Sequence, residues 1–146
     1  MNSAKLILDS GFSISVMTEK ELKQRTKAFA LRMLKLIDSL PETRSGHVLA
    51  GQLGRSGTSV GANYRAACRS RSTAEMISKL AVVEEEADES AFWLELVTEH
   101  GLMTPTQTAP LNREAEELTA IMVASRRTLA RRGLQSKIEN PKSKIR

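Results

Sequence analysis

The sequence predicts an all-α protein, an antiparallel up-down-up-down four-helix bundle. Apolar residues recur at alternating steps of three and four along several long stretches, which is the spacing of one helix face. Hydrophobic residues make up 40% of the chain but aromatic residues only 3%, a composition typical of aliphatic helical cores. The connections between these stretches are short, and short connections make neighbouring helices antiparallel.

A length of 146 residues indicates a single domain. We expect a loose leader over residues 1–17, the bundle over 18–132 and a mobile basic tail over 133–146. The start of the chain does not resemble a signal peptide, and no apolar run reaches the length of a membrane span. The single cysteine, Cys68, excludes an internal disulfide and favours a cytoplasmic location.

The first helix is predicted to begin after Thr18, which forms a capping box with Glu21. Pro41 either ends this helix or starts the next one at a first-turn position. The apolar face of the first helix is regular enough to form a bundle seam. The seam residues are Leu22, Thr26, Phe29, Met33, Leu36 and Leu40.

The second helix is predicted over residues 42–68, although five glycines weaken it by up to about 1 kcal/mol each. Its seam continues through the glycines, and small residues let a neighbouring helix approach closely. A kink or break near Gly54 is the alternative. The seam residues are Leu49, Leu53, Ser56, Val60, Asn63 and Ala67.

The third and fourth helices have the clearest heptad patterns. The third should run from Thr73 to about His100, with a capping box formed by Ser72 and Glu75 and with Gly101 as its stop. The fourth should begin near Leu111 and fray after Arg132, because a glycine follows.

The middle of the third helix carries a cluster of five acidic residues. A di-metal site in a helical bundle needs Glu-x-x-His pairs, and neither histidine of this chain has a glutamate three residues before it. We therefore predict no metal or other cofactor, and we assign the cluster to exposed and interface faces. Its members are Glu84, Glu85, Glu86, Asp88 and Glu89.

One member of the acidic cluster has a predicted partner on the second helix. In a hairpin that turns near Ser70 and Arg71, Arg55 lies level with Glu86. A bidentate arginine–carboxylate pair there, within the chain or across a subunit interface, would specify the register of the hairpin.

Basic residues follow Asn63 and Tyr64 at the end of the second helix. Arg65, Arg69 and Arg71 complement the helix dipole in the simplest interpretation. In the functional interpretation they contact phosphates, with Tyr64 as a stacking surface. Both interpretations remain open at this point.

The basic character of the chain is concentrated at its C-terminal end. Residues 126–146 contain eight Lys or Arg and one acidic residue, whereas residues 1–125 contain 14 basic and 16 acidic residues. This asymmetry predicts a cationic surface for nucleic acid. Its candidate residues are Arg126, Arg127, Arg131, Arg132 and Lys137.

No arrangement of residues predicts catalysis. The segment from Gly54 to Gly61 resembles a phosphate-binding loop but lacks the Gly-Lys-Ser/Thr ending. Cys68 has no clear histidine partner, so we interpret it as a packed residue. Phe92 and Trp93 are adjacent on the third helix and cannot both face one seam, so we predict that Trp93 lies in an oligomer interface.

Three strings of residues carry a family resemblance that covers about residues 19–130. They are L-K-Q-R-T-K-A-F-A-L-R-M-L-K-L-I-D-S-L-P, S-V-G-A-N-Y-R and E-E-A-D-E-S-A-F-W-L-E-L. They resemble the bacterial four helix bundle protein family, whose members are encoded in intervening sequences of ribosomal RNA genes. The accessory variability determinant of diversity-generating retroelements is similar.

The resemblance implies an antiparallel four-helix bundle that assembles as a homopentamer. It also implies, through the retroelement relatives, DNA or RNA and a nucleoprotein or reverse-transcriptase-like partner. The first functional hypothesis is a non-enzymatic oligomer that binds nucleic acid through its basic surface. The alternative is a protein-binding adaptor with no nucleic-acid role.

Overall fold

The computed structural model describes residues 17–140 and contains four helices. They are α1 (Glu19–Asp38), α2 (Arg44–Cys68), α3 (Thr73–Glu99) and α4 (Pro105–Glu139). They pack as an all-α four-helix bundle, so the predicted fold class is confirmed. The predictions for residues 1–16 and for residues 141–146 lie outside the described part of the chain.

The helix starts follow the capping signals in the sequence. The Thr18 hydroxyl accepts from the Glu21 N–H at 3.1 Å, and the Glu21 carboxylate accepts from the Thr18 N–H at 2.8 Å, which confirms this capping box. Ser72 caps α3 as predicted, but the Glu75 carboxylate accepts from the Arg71 N–H at 2.9 Å. At α3 the glutamate side chain therefore bonds to the residue before the N-cap, where a capping box would have it bond to the N-cap residue itself.

The helix α2 is continuous, so it has no break at Gly54. A Cβ atom at Gly61 would lie 3.3 Å from the backbone oxygen of Thr26, and one at Gly57 would lie 2.7 Å from Met33 Cγ. The glycines therefore let α1 approach the backbone of α2 closely. The resulting burial of apolar surface compensates for their low helix propensity.

The helix α4 is longer at both ends than predicted. It begins at Pro105 because Thr104 forms a capping box with Gln107, and a proline in the first turn has no N–H to leave without a partner. It also continues through Gly133 to Glu139. The segment after Gly133 is therefore helical up to Glu139, where a loose tail was expected.

Aliphatic side chains from all four helices fill the core, and α1 contacts α2 far more than it contacts α4. The core also holds a pair of serines, in which Ser90 Oγ donates to Ser56 Oγ at 2.9 Å. None of the helices between residues 17 and 140 has the length and apolarity needed to cross a membrane. The largest fully buried side chains are Phe29, Leu22, Met33, Leu53, Leu80, Leu94, Leu118, Ile121 and Met122.

Candidate nucleic-acid interface

The bundle brings the two basic segments of the sequence to the same end of the molecule. Thr73 and Ala74, at the start of α3, line a shallow depression together with Gly133 and Lys137 of α4. The turn between α2 and α3 lies immediately before Thr73. We call this end of the bundle the basic end, and its cations are Arg69, Arg71, Arg131, Arg132 and Lys137.

The cations of the basic end are exposed. Arg69, Arg71 and Lys137 form no ion pair with any residue between 17 and 140, and the same holds for Arg132. Their charge is therefore not neutralised by carboxylates of the described chain, and it is available to an anionic partner.

A second basic feature, the basic groove, lies between α1 and α2. Lys23 and Lys27 of α1 line one side, and Arg65 of α2 and Arg69, the C-cap of α2, line the other. The groove has a volume of about 540 Å³. Its remaining lining residues are Gln24, Ala30, Thr58, Gly61 and Ala62.

The helix geometry explains why the cations form two rows. Lys23 and Lys27 are four residues apart, as are Arg65 and Arg69, so each pair occupies one helix face with a rise of about 6 Å. Because α1 and α2 approach closely at Gly61, the two rows lie on opposite sides of the basic groove. Arg65 and Arg69 of the second row were candidate phosphate contacts in the sequence. The α1 row was missed, although its i, i+4 spacing was readable.

Three of the four groove cations have no carboxylate partner. Lys23 Nζ lies 3.2 Å from Glu19 Oε1, at one end of the groove. Lys27, Arg65 and Arg69 form no ion pair in the part of the chain that the structure describes. The groove therefore has a net positive charge.

Arg126 requires a correction to its predicted role as a phosphate contact. Its Nε donates to Glu84 Oε2 at 2.7 Å, and its Nη2 contacts the same oxygen. Its side chain is 30% exposed. Arg126 therefore joins α4 to α3, whereas its neighbour Arg127 is exposed and has no ion pair within residues 17–140.

The acidic cluster of α3 acts mainly as a set of anchors for arginines. Arg55 Nη1 donates to Glu86 Oε2 at 3.1 Å and its Nη2 contacts Glu89, so the pair lies within one chain, in the predicted hairpin register. Glu85 and Asp88 point to solvent. No group of three or more metal-ligating side chains occurs among the described residues.

Sequence reasoning missed a third ion pair, between α1 and α4. Arg25 Nε donates to Glu114 Oε2 at 2.9 Å, and its Nη2 lies 2.5 Å from Glu114 Oε1 and 3.0 Å from Glu117 Oε1. The hydrogen bond to Glu114 is the main reason that the pKa of Arg25 is raised. Long-range pairs of this kind leave no local sequence signal.

Tyr64 requires a correction to its predicted role as a stacking surface. It is 2% exposed and occupies the core position that the pattern gave to Asn63. Burial raises the pKa of Tyr64, and burial also raises the pKa of the nearby Cys68 thiol to about 11. Asn63 is half-buried and donates from Nδ2 to the Ser59 carbonyl at 2.8 Å.

Trp93 and Phe92 form an edge-to-face pair on the outer side of α3. Their ring centroids lie 5.0 Å apart with an interplanar angle of 88°. Trp93 is partly buried against the core and donates from Nε1 to Glu89 at 3.2 Å, whereas Phe92 is 46% exposed. The pair is therefore an apolar surface beside the Arg55 ion pair.

The comparisons with known proteins identify the family. A family model described as 23S rRNA-intervening sequence protein matches residues 18–124. The chain belongs to this family. The match includes all of α1, α2 and α3 and ends within α4. No curated protein matches the chain.

A solved structure supports the assignment of this chain to the intervening-sequence family. The solved protein is one of unknown function from the S23 ribosomal protein family of Bacteroides thetaiotaomicron. The two chains are 32% identical, with a TM-score of 0.71, and the match covers 76% of this chain and 99% of the other. The basic groove lies within the matched residues 18–124, whereas most of the α4 contribution to the basic end lies after them.

Proposed function

We propose that this family member is a non-enzymatic, oligomeric four-helix bundle that binds nucleic acid through its basic surface. The observation that carries the proposal is a set of exposed cations without carboxylate partners among residues 17–140. They are Lys27, Arg65 and Arg69 in the basic groove, and Arg71, Arg132 and Lys137 at the basic end. Such cations bind phosphates by displacing condensed counterions. The contacts are to the nucleic-acid backbone, so the sequence preference is slight.

The proposed assembly is a homopentamer located in the cytoplasm. The aromatic pair formed by exposed Phe92 and partly buried Trp93 supports a subunit interface, because aromatic residues are enriched at interface cores. Five basic ends in one assembly multiply weak phosphate contacts. A nucleoprotein or a reverse-transcriptase-like protein is the proposed protein partner.

An adaptor that binds only protein is the second candidate function. Leu134 and Ile138 at the end of α4 are 62% and 63% exposed and lie four residues apart. They form a small apolar strip beside Lys137, and this strip is more suited to a protein than to a phosphate backbone. The two functions differ in their response to salt, because apolar contacts do not weaken as counterions are added.

The deciding experiment measures the binding of the full chain to mixed-sequence DNA and RNA at increasing salt. We expect the logarithm of the affinity to fall linearly with the logarithm of the salt concentration. Arg71→Glu combined with Lys137→Glu should weaken binding at the basic end. The matched control is Lys35→Glu combined with Arg44→Glu, the same charge change beside the turn between α1 and α2.

The outcomes separate the proposal from its alternative. Equal weakening by the two double variants would place the contacts away from the basic end. No binding to DNA or RNA at low salt would exclude the nucleic-acid function and leave the adaptor. Light scattering checks the assembly, because a monomer at micromolar concentration would contradict the proposed pentamer.

A further inference from the structure

The shape of the basic groove limits what can enter it. Two packed helices have axes about 8–10 Å apart, and α1 and α2 approach closely at Gly61. The major groove of B-DNA is by itself about 12 Å wide, so a duplex is broader than the furrow and can only lie across its rim. One strand of nucleic acid can lie along the furrow.

The charges of the groove match a chain of phosphates. Lys27 of α1 lines one side, and Arg65 and the C-cap residue Arg69 of α2 line the other. None of the three has a carboxylate partner within residues 17–140. The residues of each row are spaced by about 6 Å along their helix. A strand in the furrow can therefore bring successive phosphates close to cations on both sides.

The side chains on the floor of the groove are small, and none of the lining residues is aromatic. Ala30, Gly61 and Ala62 leave the space open, and Thr58 adds a hydroxyl at the side. The single tyrosine of the sequence, Tyr64, is buried in the core and cannot stack with a base. The groove therefore offers cations to a phosphate backbone but no aromatic surface on which a base could stack.

The groove also opens toward the basic end, since Arg69 belongs to both. A strand that leaves the groove beyond Arg69 next meets Arg71 in the turn between α2 and α3. The cations thus form a continuous path along α2 and across the end of the bundle.

We infer that the basic groove between α1 and α2 is a binding site for the backbone of single-stranded nucleic acid. The inference rests on the proposed nucleic-acid function and adds the site and the form of the ligand. It requires single strands to bind more tightly than a duplex of the same sequence. Binding is independent of base sequence.

The test measures the binding of the full-length protein to a mixed-sequence single strand and to its duplex by fluorescence anisotropy over a range of salt concentrations. Lys27→Glu should weaken single-strand binding about tenfold or more. It should also make the log–log salt slope shallower by about 0.7 for the phosphate contact that is lost. Lys20→Glu is the matched control, because Lys20 is exposed on the same helix but does not line the groove.

A bulky neutral substitution tests whether binding depends on the shape of the groove or only on the positive charge of the surface. Ala62 lines the groove and is exposed, so Ala62→Leu narrows the furrow without changing the charge. We expect Ala62→Leu to weaken single-strand binding several-fold and to leave duplex binding unchanged. Ala120→Leu, at an exposed position of α4, is the control and should leave both unchanged. Circular dichroism confirms that each variant remains folded.

The outcomes distinguish failure of the groove site from failure of the proposed nucleic-acid function. Lower single-strand affinity for Lys27→Glu and Ala62→Leu, with unchanged controls, supports the groove site. Equal binding of single strand and duplex, with all variants like their controls, overturns the groove site and leaves the proposed function intact. Absence of binding to either form at low salt overturns the proposed function itself.

Discussion

Arg25 and Lys27 lie two residues apart on α1, but they face different environments. Arg25 is held by Glu114 and Glu117 of α4, with its side chain 22% exposed. Lys27 lines the basic groove and has no ion pair within the described chain. The difference shows that a cation of this bundle serves stability where a carboxylate faces it, and is available to a ligand where none does.

The same contrast recurs across the molecule. Arg55 and Arg126 are paired with α3 carboxylates, whereas Arg65 and Arg69 lie in the groove without such partners. The carboxylates of the cluster on α3 thus mark the arginines that hold helices together. The face of α1 and α2 that carries the groove contains few acidic residues, and its positive charge remains exposed.

The largest expected effect is on the free energy of unfolding and tests the contrast between Arg25 and Lys27. Arg25→Ala should lower the free energy of unfolding by about 2 kcal/mol, because Glu114 loses hydrogen bonds from a charged partner. Lys27→Ala should change it by less than about 0.5 kcal/mol, as expected for a surface position. Urea unfolding of both variants measures the difference. Equal losses would mean that Lys27 also has a structural role.

A second pair of adjacent residues tests the contrast on α4. Arg126→Ala should lower the free energy of unfolding by about 1 kcal/mol, because Glu84 loses its partner. Arg127→Ala should leave stability nearly unchanged and instead weaken nucleic-acid binding at low salt. Thermal unfolding and anisotropy titrations measure the two properties. Weaker nucleic-acid binding by Arg126→Ala alone would reverse the roles assigned to these residues.

The third test uses the most exposed of the ion-paired arginines. The Arg55 side chain is 48% exposed, so solvent screens its pairs with Glu86 and Glu89 more than those of Arg25. Arg55→Ala should lower the melting temperature less than Arg25→Ala does and more than Lys20→Ala does. Identical melting temperatures for Arg55→Ala and Lys20→Ala would show that the pair adds nothing to the fold or the assembly.

The smallest expected effect concerns Tyr64 and Cys68, which lie next to the groove on α2. Burial raises the pKa of the Cys68 thiol to about 11 and also raises that of Tyr64, so the folded state retains protons that the unfolded chain releases. The contribution of these protonated groups to the free energy of unfolding is therefore fully present below about pH 9. It declines as the pH rises toward 11. Because Cys68 is only half-buried, its contribution is on the order of 1 kcal/mol.

Urea unfolding at pH 8, 9 and 10 checks this dependence. Cys68→Ala should make the alkaline decline shallower, because the half-buried thiol is no longer present to titrate. A decline of the same steepness in Cys68→Ala would assign the whole effect to other groups, including Tyr64.

Local signals in the sequence were sufficient for most of the fold. The capping box at Thr18, the seam through Phe29 and the stop at Gly101 are short-range features, and the structure contains each of them. The errors also have local causes. The start of α4 was placed too late because Thr104 and Pro105 were interpreted as a loop, and its end too early because Gly133 was interpreted as a stop.

The candidate site was predicted less completely than the fold. Arg65 and Arg69 were candidate phosphate contacts from their position near the end of α2, beside the interpretation that they complement the helix dipole. Their opposite row on α1 was not identified. Arg126 and Tyr64 were assigned to the surface because composition and spacing do not reveal a partner 42 residues away or a shift of one residue in the seam.

The sequence by itself determined the four helices, their antiparallel order and the location of positive charge near the end of the chain. These follow from periodicity, capping residues and composition, which act over a few residues. Only the tertiary structure decided which cations face carboxylates and which face solvent. That distinction depends on the distance between side chains of different helices, and electrostatic and hydrogen-bond energies are set by that distance and by burial.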